Sequence, residues 1–209
     1  MNFRVYLRAL EPEDYLITYE WRKDEEIQNL VGGHKYFVSK EKERQWVLNT
    51  ITDNSRMVLG ICLKENNKLI GTVNIQDIDW INRSARVPIL IGDKRYWGSG
   101  YASEARILAL KFAFEERGMH RVGAVILEHN IASIKQHERL GFVREGVLRD
   151  SVYKGGKFHN QIYFLETLQG QCRIIRFQDQ PFPVCLDDVE SRIRTVQSEG
   201  MKFFPCSRT

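Results

Sequence analysis

Two glycines separated by one residue, Gly98 and Gly100, lie between an apolar run and a stretch with helical periodicity. The apolar run 87–91 predicts the end of a strand, and the alanine and leucine spacing over 102–117 predicts a helix. Glycine lets the main chain approach a ligand closely, and the unpaired amides of a helix's first turn attract anions. The segment 97–102 therefore predicts a cradle for a diphosphate.

The kind of diphosphate is not fixed by this segment alone. Gly98-x-Gly100-x-x-Ser103 is close to a dinucleotide-binding fingerprint, and Glu128 follows near the end of the next predicted strand. A nicotinamide oxidoreductase is therefore one alternative, although the third glycine is missing and the acid comes later than the spacing of about 20 residues that this fold uses. A Walker-type phosphate loop is excluded, because no Gly-Lys-Ser/Thr follows at the required distance.

A second block of residues favours coenzyme A. The first block reads Arg95-x-x-Gly98-x-Gly100 and continues as Tyr-Ala-Ser-Glu-Ala, and the second comprises Asn130-Ile-Ala-Ser and 138–142, Glu-Arg-Leu-Gly-Phe. Together they resemble the GCN5-related N-acetyltransferase (GNAT) superfamily, in particular its ribosomal-protein and spermidine acetyltransferase-like branch. The resemblance covers roughly residues 3 to 168.

The resemblance implies that acetyl-coenzyme A is the cosubstrate and that its acetyl group moves directly to a primary amine. It further implies that the strand ending at Ile91 pairs with the pantetheine arm and diverges from the strand 122–127, which leaves a gap for the cofactor. The cofactor-binding residues implied are Leu90, Ile91, Arg95, Trp97, Gly98, Ser99, Gly100, Tyr101, Ala102 and Asn130.

The catalytic residues are harder to assign, because the chain departs from the family at two positions. His137 stands where the family often has a tyrosine, and a histidine can donate a proton near neutrality, so we expect it to protonate the leaving thiolate. Arg86 stands where many relatives have a glutamate. Asp77 and Asp79 then become the expected proton acceptors, directly or through water.

The element pattern predicts one mixed α/β domain over residues 1–168, with an acyl-CoA N-acyltransferase-like fold. We expect a mostly antiparallel, twisted central sheet with helices on both faces, including a single strand over 85–91. Ser39 is expected to cap a helix. We expect residues 169–209 to form a C-terminal extension with an interface helix at about 187–198, and exposed apolar positions on that helix would favour a homodimer or higher homo-oligomer.

The composition of the chain limits the classes of partner that we expect. The 209 residues carry a net charge of +4 that is spread along the chain, and no apolar run approaches the length of a bilayer, so we expect neither a nucleic-acid nor a membrane partner. We expect no metal site and a cytoplasmic location, because the four cysteines are widely spaced: Cys62, Cys172, Cys185 and Cys206.

The acceptor is left open between a small-molecule amine, of polyamine or amino-sugar type, and a protein N-terminus. A catalytically weakened relative that binds coenzyme A as a sensor or assembly partner is the second alternative, because Arg86 replaces an expected acid.

Overall fold

The computed structural model describes residues 3–33 and 37–167. The predicted C-terminal extension and its helix at 187–198 lie outside the described residues. The strands are β1 (Val5–Ala9), β2 (Met57–Leu63), β3 (Leu69–Asp79), β4 (Ser84–Arg86), β5 (Ile89–Ile91), β6 (Arg121–Leu127), β7 (Val143–Lys154) and β8 (Lys157–Thr167). The helices are α1 (Tyr15–Lys23), α2 (Glu25–Leu30), α3 (Lys40–Thr52), α4 (Tyr101–Lys111) and α5 (Ile131–Arg139).

The sheet follows the order β1-β2-β3-β4-β6-β8-β7, and β5 pairs with β3 beside β4. Every pairing is antiparallel except the one between β4 and β6, which is parallel. The expected α/β fold, a mostly antiparallel sheet flanked by helices, is therefore confirmed. Among the described residues, no helix has the length and apolar character needed to cross a bilayer.

The helices begin where local chemistry predicts. Ser39 caps α3, because its hydroxyl oxygen accepts a hydrogen bond from the Lys42 amide at 3.1 Å. Asp24 caps α2 in the same way through the amides of Glu26 and Ile27. The six residues of α2 are too few to show a helical period, so the sequence did not predict this helix.

The single strand expected over 85–91 is instead two strands, β4 and β5, separated by Val87 and Pro88. Proline has no N–H to donate and fixes φ, so it interrupts a ladder that must continue on both sides. Its carbonyl still accepts from the Asn74 amide at 3.0 Å, which keeps the second half of the run on β3. The expected helix over 102–117 also divides: α4 ends at Lys111 and a π-helical turn, Phe112–Glu116, completes it.

Two apolar clusters fix the layers. The larger one packs the buried side of α4, including Ala105, Ala109 and Leu110, against the sheet. The smaller one contains Trp21, Ile27, Cys62 and Leu69, with Leu90 and Trp97 at its margin. The Trp21 ring lies so close to Gly92 that a Cβ there would fall 1.9 Å from a ring carbon. The end of β5 is thus fixed by direct contact between an aromatic ring and bare backbone.

Candidate active site

A gap opens in the sheet beyond the end of β4, because β5 pairs with β3 and not with β6. The parallel β4–β6 ladder runs through the pair Arg86 and Gly123, and its last bond joins the Val87 amide to the Gly123 carbonyl at 3.3 Å. Beyond that bond β5 pairs only with β3. The second half of β6 therefore has no strand on this side among the described residues.

Strand alternation decides which groups of β5 face the gap. The Pro88 carbonyl and the Gly92 amide both bond to β3, at 3.0 and 2.9 Å. In an antiparallel pair successive residues direct their backbone groups to opposite sides. Leu90 therefore also faces β3, and Ile89 and Ile91 face the gap.

This alternation bears on two of the residues that we predicted to contact the cofactor. Leu90 directs its backbone to β3 and its side chain into the smaller apolar cluster, so it does not offer pairing groups to the gap. The Ile91 carbonyl is occupied, because the indole Nε1 of Trp97 donates to it at 2.7 Å. Ile89 therefore presents both an N–H and a C=O to the gap. Sequence reasoning missed Ile89, because the break at Pro88 sets the alternation.

The predicted cradle has the expected backbone. Gly98 and Gly100 have φ of 71° and 86°, in the left-handed region that favours glycine. Among the described residues, the amides of 98–102 have no hydrogen-bond acceptor, and nothing lies within 4 Å of a Cβ built on Gly98. Free amides at the start of α4 beside open space fit a diphosphate.

The cationic side chains around the cradle form ion pairs with neighbouring carboxylates. Arg95 is mostly exposed and binds Asp93 through two hydrogen bonds, Nε–Oδ1 at 2.9 Å and Nη2–Oδ2 at 2.6 Å. Lys68 also donates to Asp93, at 2.8 Å. These two cations hold the pKa of Asp93 well below its usual range. The charge of Arg95 is therefore largely shared with a neighbouring carboxylate.

Arg4 is a cradle residue that sequence reasoning missed. Its Nη2 donates to the Ser99 carbonyl at 2.8 Å, its Nε donates to Glu104 at 2.6 Å, and its guanidinium lies 4.1 Å from the centre of the Tyr101 ring. Arg4 thus ties β1 to the loop and to the first turn of α4. Its separation of about 100 residues in sequence leaves no local signal of this contact.

Both polar atoms of the Asn130 side chain form hydrogen bonds. Its Oδ1 accepts from the Ser133 amide at 3.1 Å and so caps α5, and its Nδ2 donates to the Leu30 carbonyl at 3.1 Å. Lys154 donates to the carbonyls of Gln28 and Val31 in the same segment, and burial lowers the pKa of Lys154. The C-terminal end of α2 is therefore fastened to the far half of the sheet.

His137 lies in the apolar core with 1% of its surface exposed, stacked on Phe164 and edge-on to Phe142. Its Nδ1 lies 2.7 Å from the Ser133 carbonyl, so the proton is assigned to Nδ1, and Nε2 has no partner among the described residues. Burial, and then the charge of Arg106, lower the pKa of His137 to about 2. The ring is therefore neutral at pH 7, which opposes its expected role as an acid.

The two candidate acids have different surroundings. Asp77 forms an ion pair with Arg86 across a bulge between β3 and β4, where its own φ is 52°. Asp79 accepts hydrogen bonds from Ile81 and Asn82 in the following turn, and these donors lower its pKa. Asp77 therefore lies beside Arg86, the position at which the resemblance leads us to expect a glutamate, whereas Asp79 stabilises a turn.

A gap between splayed strands, with an amide cradle at its outer end, has the layout that the resemblance implies for an acyl-coenzyme A site. Comparison with known proteins agrees: residues 4–143 match the sequence model of the acetyltransferase (GNAT) domain. The chain belongs to the GNAT acetyltransferase family, and acetyl-coenzyme A is its acetyl donor.

Curated relatives and solved structures support this assignment. The chain is 30% identical over 159 residues to the SPbeta prophage-derived uncharacterized N-acetyltransferase YokL of Bacillus subtilis (strain 168), covering 76% of this chain and 86% of that protein. It is 27% identical over 169 residues to spermidine N(1)-acetyltransferase of Vibrio cholerae, covering 80% and 96%.

The crystal structure of spermidine N-acetyltransferase from Vibrio cholerae with CoA and spermine has a similar fold. The TM-score is 0.75 at 23% identity, and the alignment covers 81% of this chain and 98% of that one. The comparisons give no support to a dinucleotide oxidoreductase.

Proposed function

We propose that the chain transfers acetyl from acetyl-coenzyme A to a primary amine of a small polycationic molecule of the polyamine type. The observation that carries the proposal is the gap beside β5, which offers Ile89 as a pairing partner and leads to the free amides of the cradle. A pantetheine arm has two amide groups and can pair with Ile89 as a further strand would. The diphosphate then occupies the amides of 98–102.

The acceptor class rests on the relatives and on one acid. Spermidine is the substrate named for the Vibrio cholerae relative. In this chain Glu43 of α3 is buried, with one carboxylate oxygen 3.4 Å from Arg22 Nε and the other without a partner among the described residues. A buried carboxylate oxygen without a donor favours binding of a cation. We propose that the charge of Glu43 attracts the amine; because the side chain is buried, this attraction acts at a distance and not through direct contact.

Proton removal is needed before the amine can attack, because an aliphatic ammonium has no lone pair and predominates at neutral pH. Of the two acids considered, Asp77 is the better placed, since its pairing with Arg86 keeps it beside the strand that breaks at the gap. We propose that it takes the proton through water. Asp79 is left with its role in the turn.

An amine panel tests the proposal. Purified protein is mixed with acetyl-coenzyme A and, in turn, spermidine, spermine, an amino sugar and a peptide with a free N-terminus, and free thiol is measured over time. Thiol release with the polyamines alone supports the proposal. Release only with the peptide or the amino sugar contradicts the acceptor class, and tight binding of coenzyme A without release for any amine favours the non-catalytic alternative.

The Glu43 assignment has a matched control on the same helix. Glu43→Gln should raise the KM for the polyamine roughly tenfold with little change in kcat, because about 1.4 kcal/mol of charge attraction is lost. Glu41 is exposed and, within the described part of the chain, its ion pair is with Arg44 one turn away, so Glu41→Gln should behave as wild type. Equal KM values in the two variants would remove Glu43 from amine recognition.

A further inference from the structure

Arg106 is a buried cation that no described acid neutralises. It lies on the core side of α4 with 3% of its surface exposed, and its Nη1 donates to the Val87 carbonyl at 3.0 Å. Its Nε has no partner, and within residues 3–33 and 37–167 no carboxylate pairs with the guanidinium. Burial lowers the pKa of Arg106 to about 9. A buried charge without a counter-charge is costly, so its presence here points to a function.

The Val87 carbonyl, which accepts the hydrogen bond from Arg106, lies where the β4–β6 ladder ends. The Val87 amide makes the last bond of that ladder, and in a continuing parallel pair its carbonyl would accept from β6 as well. Arg106 takes that carbonyl instead. The guanidinium therefore lies at the inner end of the gap, at the break between β4 and β5.

The inner end of the gap is also where the sulfur of the cofactor arrives. The cradle follows Ile91, so an arm that pairs along β5 runs from Ile91 towards Val87. That distance is four residues, about 13 Å at the rise of a strand. Pantoate, β-alanine and cysteamine joined end to end span a comparable length, so the thioester reaches the break.

We propose that Arg106 stabilises the thiolate of coenzyme A as the acetyl group leaves it. This inference rests on the proposed placement of the pantetheine arm along β5. The amine nitrogen attacks the thioester carbon and the N–C bond forms. The C–S bond then breaks with its electron pair on sulfur, and the proton of the attacking nitrogen passes to water. The guanidinium faces the new sulfur anion until the thiolate takes a proton from water.

His137 does not supply this charge. It is the titratable group that faces Arg106 from α5, and the charge of Arg106 adds to burial in lowering the pKa of His137. Since Nδ1 carries the proton towards Ser133, Nε2 of the neutral ring can only accept a hydrogen bond. The positive charge at the break therefore comes from Arg106.

The test is a titration of coenzyme A bound to the protein. Thiolate absorbance in the ultraviolet is followed against pH at saturating coenzyme A, and the same protein with S-methyl-coenzyme A is subtracted to remove tyrosine absorbance. In wild type we expect the pKa of the bound thiol to lie at least about one unit below that of the free coenzyme, since an opposite charge nearby shifts a pKa by that amount or more.

Two variants separate charge from position. Arg106→Gln keeps an amide that can donate to the Val87 carbonyl but loses the charge, and Arg106→Met loses both. We expect the bound thiol in each variant to titrate at or above the free coenzyme, and kcat to fall about tenfold for each unit of lost shift. A role confined to holding Val87 would leave the Arg106→Gln thiol titrating as in wild type, which would overturn the proposal.

The wild-type titration decides the matter even where a variant fails to fold. An unshifted thiol pKa in wild type, with binding established by calorimetry, overturns the role of Arg106. The titration uses the binary complex and no amine, so it can fail while the amine panel succeeds, and the reverse is equally possible.

Discussion

The buried imidazole of His137 should make the stability of this protein fall with acid in a way that one substitution removes. Burial and the charge of Arg106 lower the pKa of His137 to about 2 in the folded chain. In the unfolded chain the ring titrates at its ordinary value of about 6.5. Below that pH the unfolded chain binds a proton that the folded chain refuses, so the free energy of unfolding decreases as pH falls. Above about pH 6.5 the ring is neutral in both states, so His137 contributes no pH dependence to the free energy of unfolding.

The size of the effect follows from the two pKa values. Each pH unit below about 6.5 removes about 1.4 kcal/mol, and the loss continues until the folded ring itself takes a proton. Between pH 7 and pH 5 His137 should therefore account for about 2 kcal/mol of lost stability. That is a large share of the 5–15 kcal/mol typical of a native domain.

Urea unfolding at a series of pH values between 5 and 8 measures this loss. His137→Gln has no titrating ring and can still donate to the Ser133 carbonyl, so its stability should fall about 2 kcal/mol less than that of wild type over the series. His120 is exposed, and His120→Gln serves as the control that should follow wild type.

The refuting result is a wild type and a His137→Gln variant that lose the same stability between pH 7 and pH 5. That outcome would mean that the imidazole takes a proton in the folded chain at mild pH. It would also restore the role that the sequence suggested for His137, as an acid able to protonate the leaving thiolate.

Three further predictions concern the cradle and its supports. Gly98→Ala should cost about 1–2 kcal/mol through its positive φ and raise the Kd for coenzyme A in calorimetry; an unchanged Kd would remove this glycine from diphosphate binding. Gly92→Ala should destabilise by about 1–3 kcal/mol in urea unfolding, because the new methyl overlaps Trp21; unchanged stability would contradict that contact. Trp97→Phe frees the Ile91 carbonyl and should lower stability by about 1 kcal/mol; no change would mean that water replaces the indole.

Local chemistry explains why much of the fold and of the cradle could be predicted. Gly98 and Gly100 act through their own φ values, and the Ser39 cap acts within three residues, so both signals are contained in a short stretch of sequence. The break in the predicted strand at Pro88 is also a local effect, because it comes from the proline itself. The continuous apolar run around this residue nevertheless favoured a single strand.

Contacts between distant segments explain what the sequence could not predict. Arg4 reaches the loop that contains Ser99 only because β1 passes beside the start of α4. The choice of Ile89 over Leu90 depends on which residue first bonds to β3, and a shift of one residue reverses every later group. Neither pattern repeats along the chain, so no periodicity could reveal it.

The unpaired polar groups of the core explain where the chemistry of this chain departs from its family. Arg106 and His137 lie on neighbouring helices, and each leaves a nitrogen without a partner among the described residues. The resemblance leads us to expect a proton-donating tyrosine at position 137, and the neutral ring of His137 cannot donate from Nε2 in the tautomer that Ser133 selects. A fixed guanidinium at the break can stabilise a thiolate without transferring any proton. In our proposal, Arg106 on α4 therefore stabilises the leaving thiolate by its charge, whereas the neutral His137 on α5 cannot protonate it.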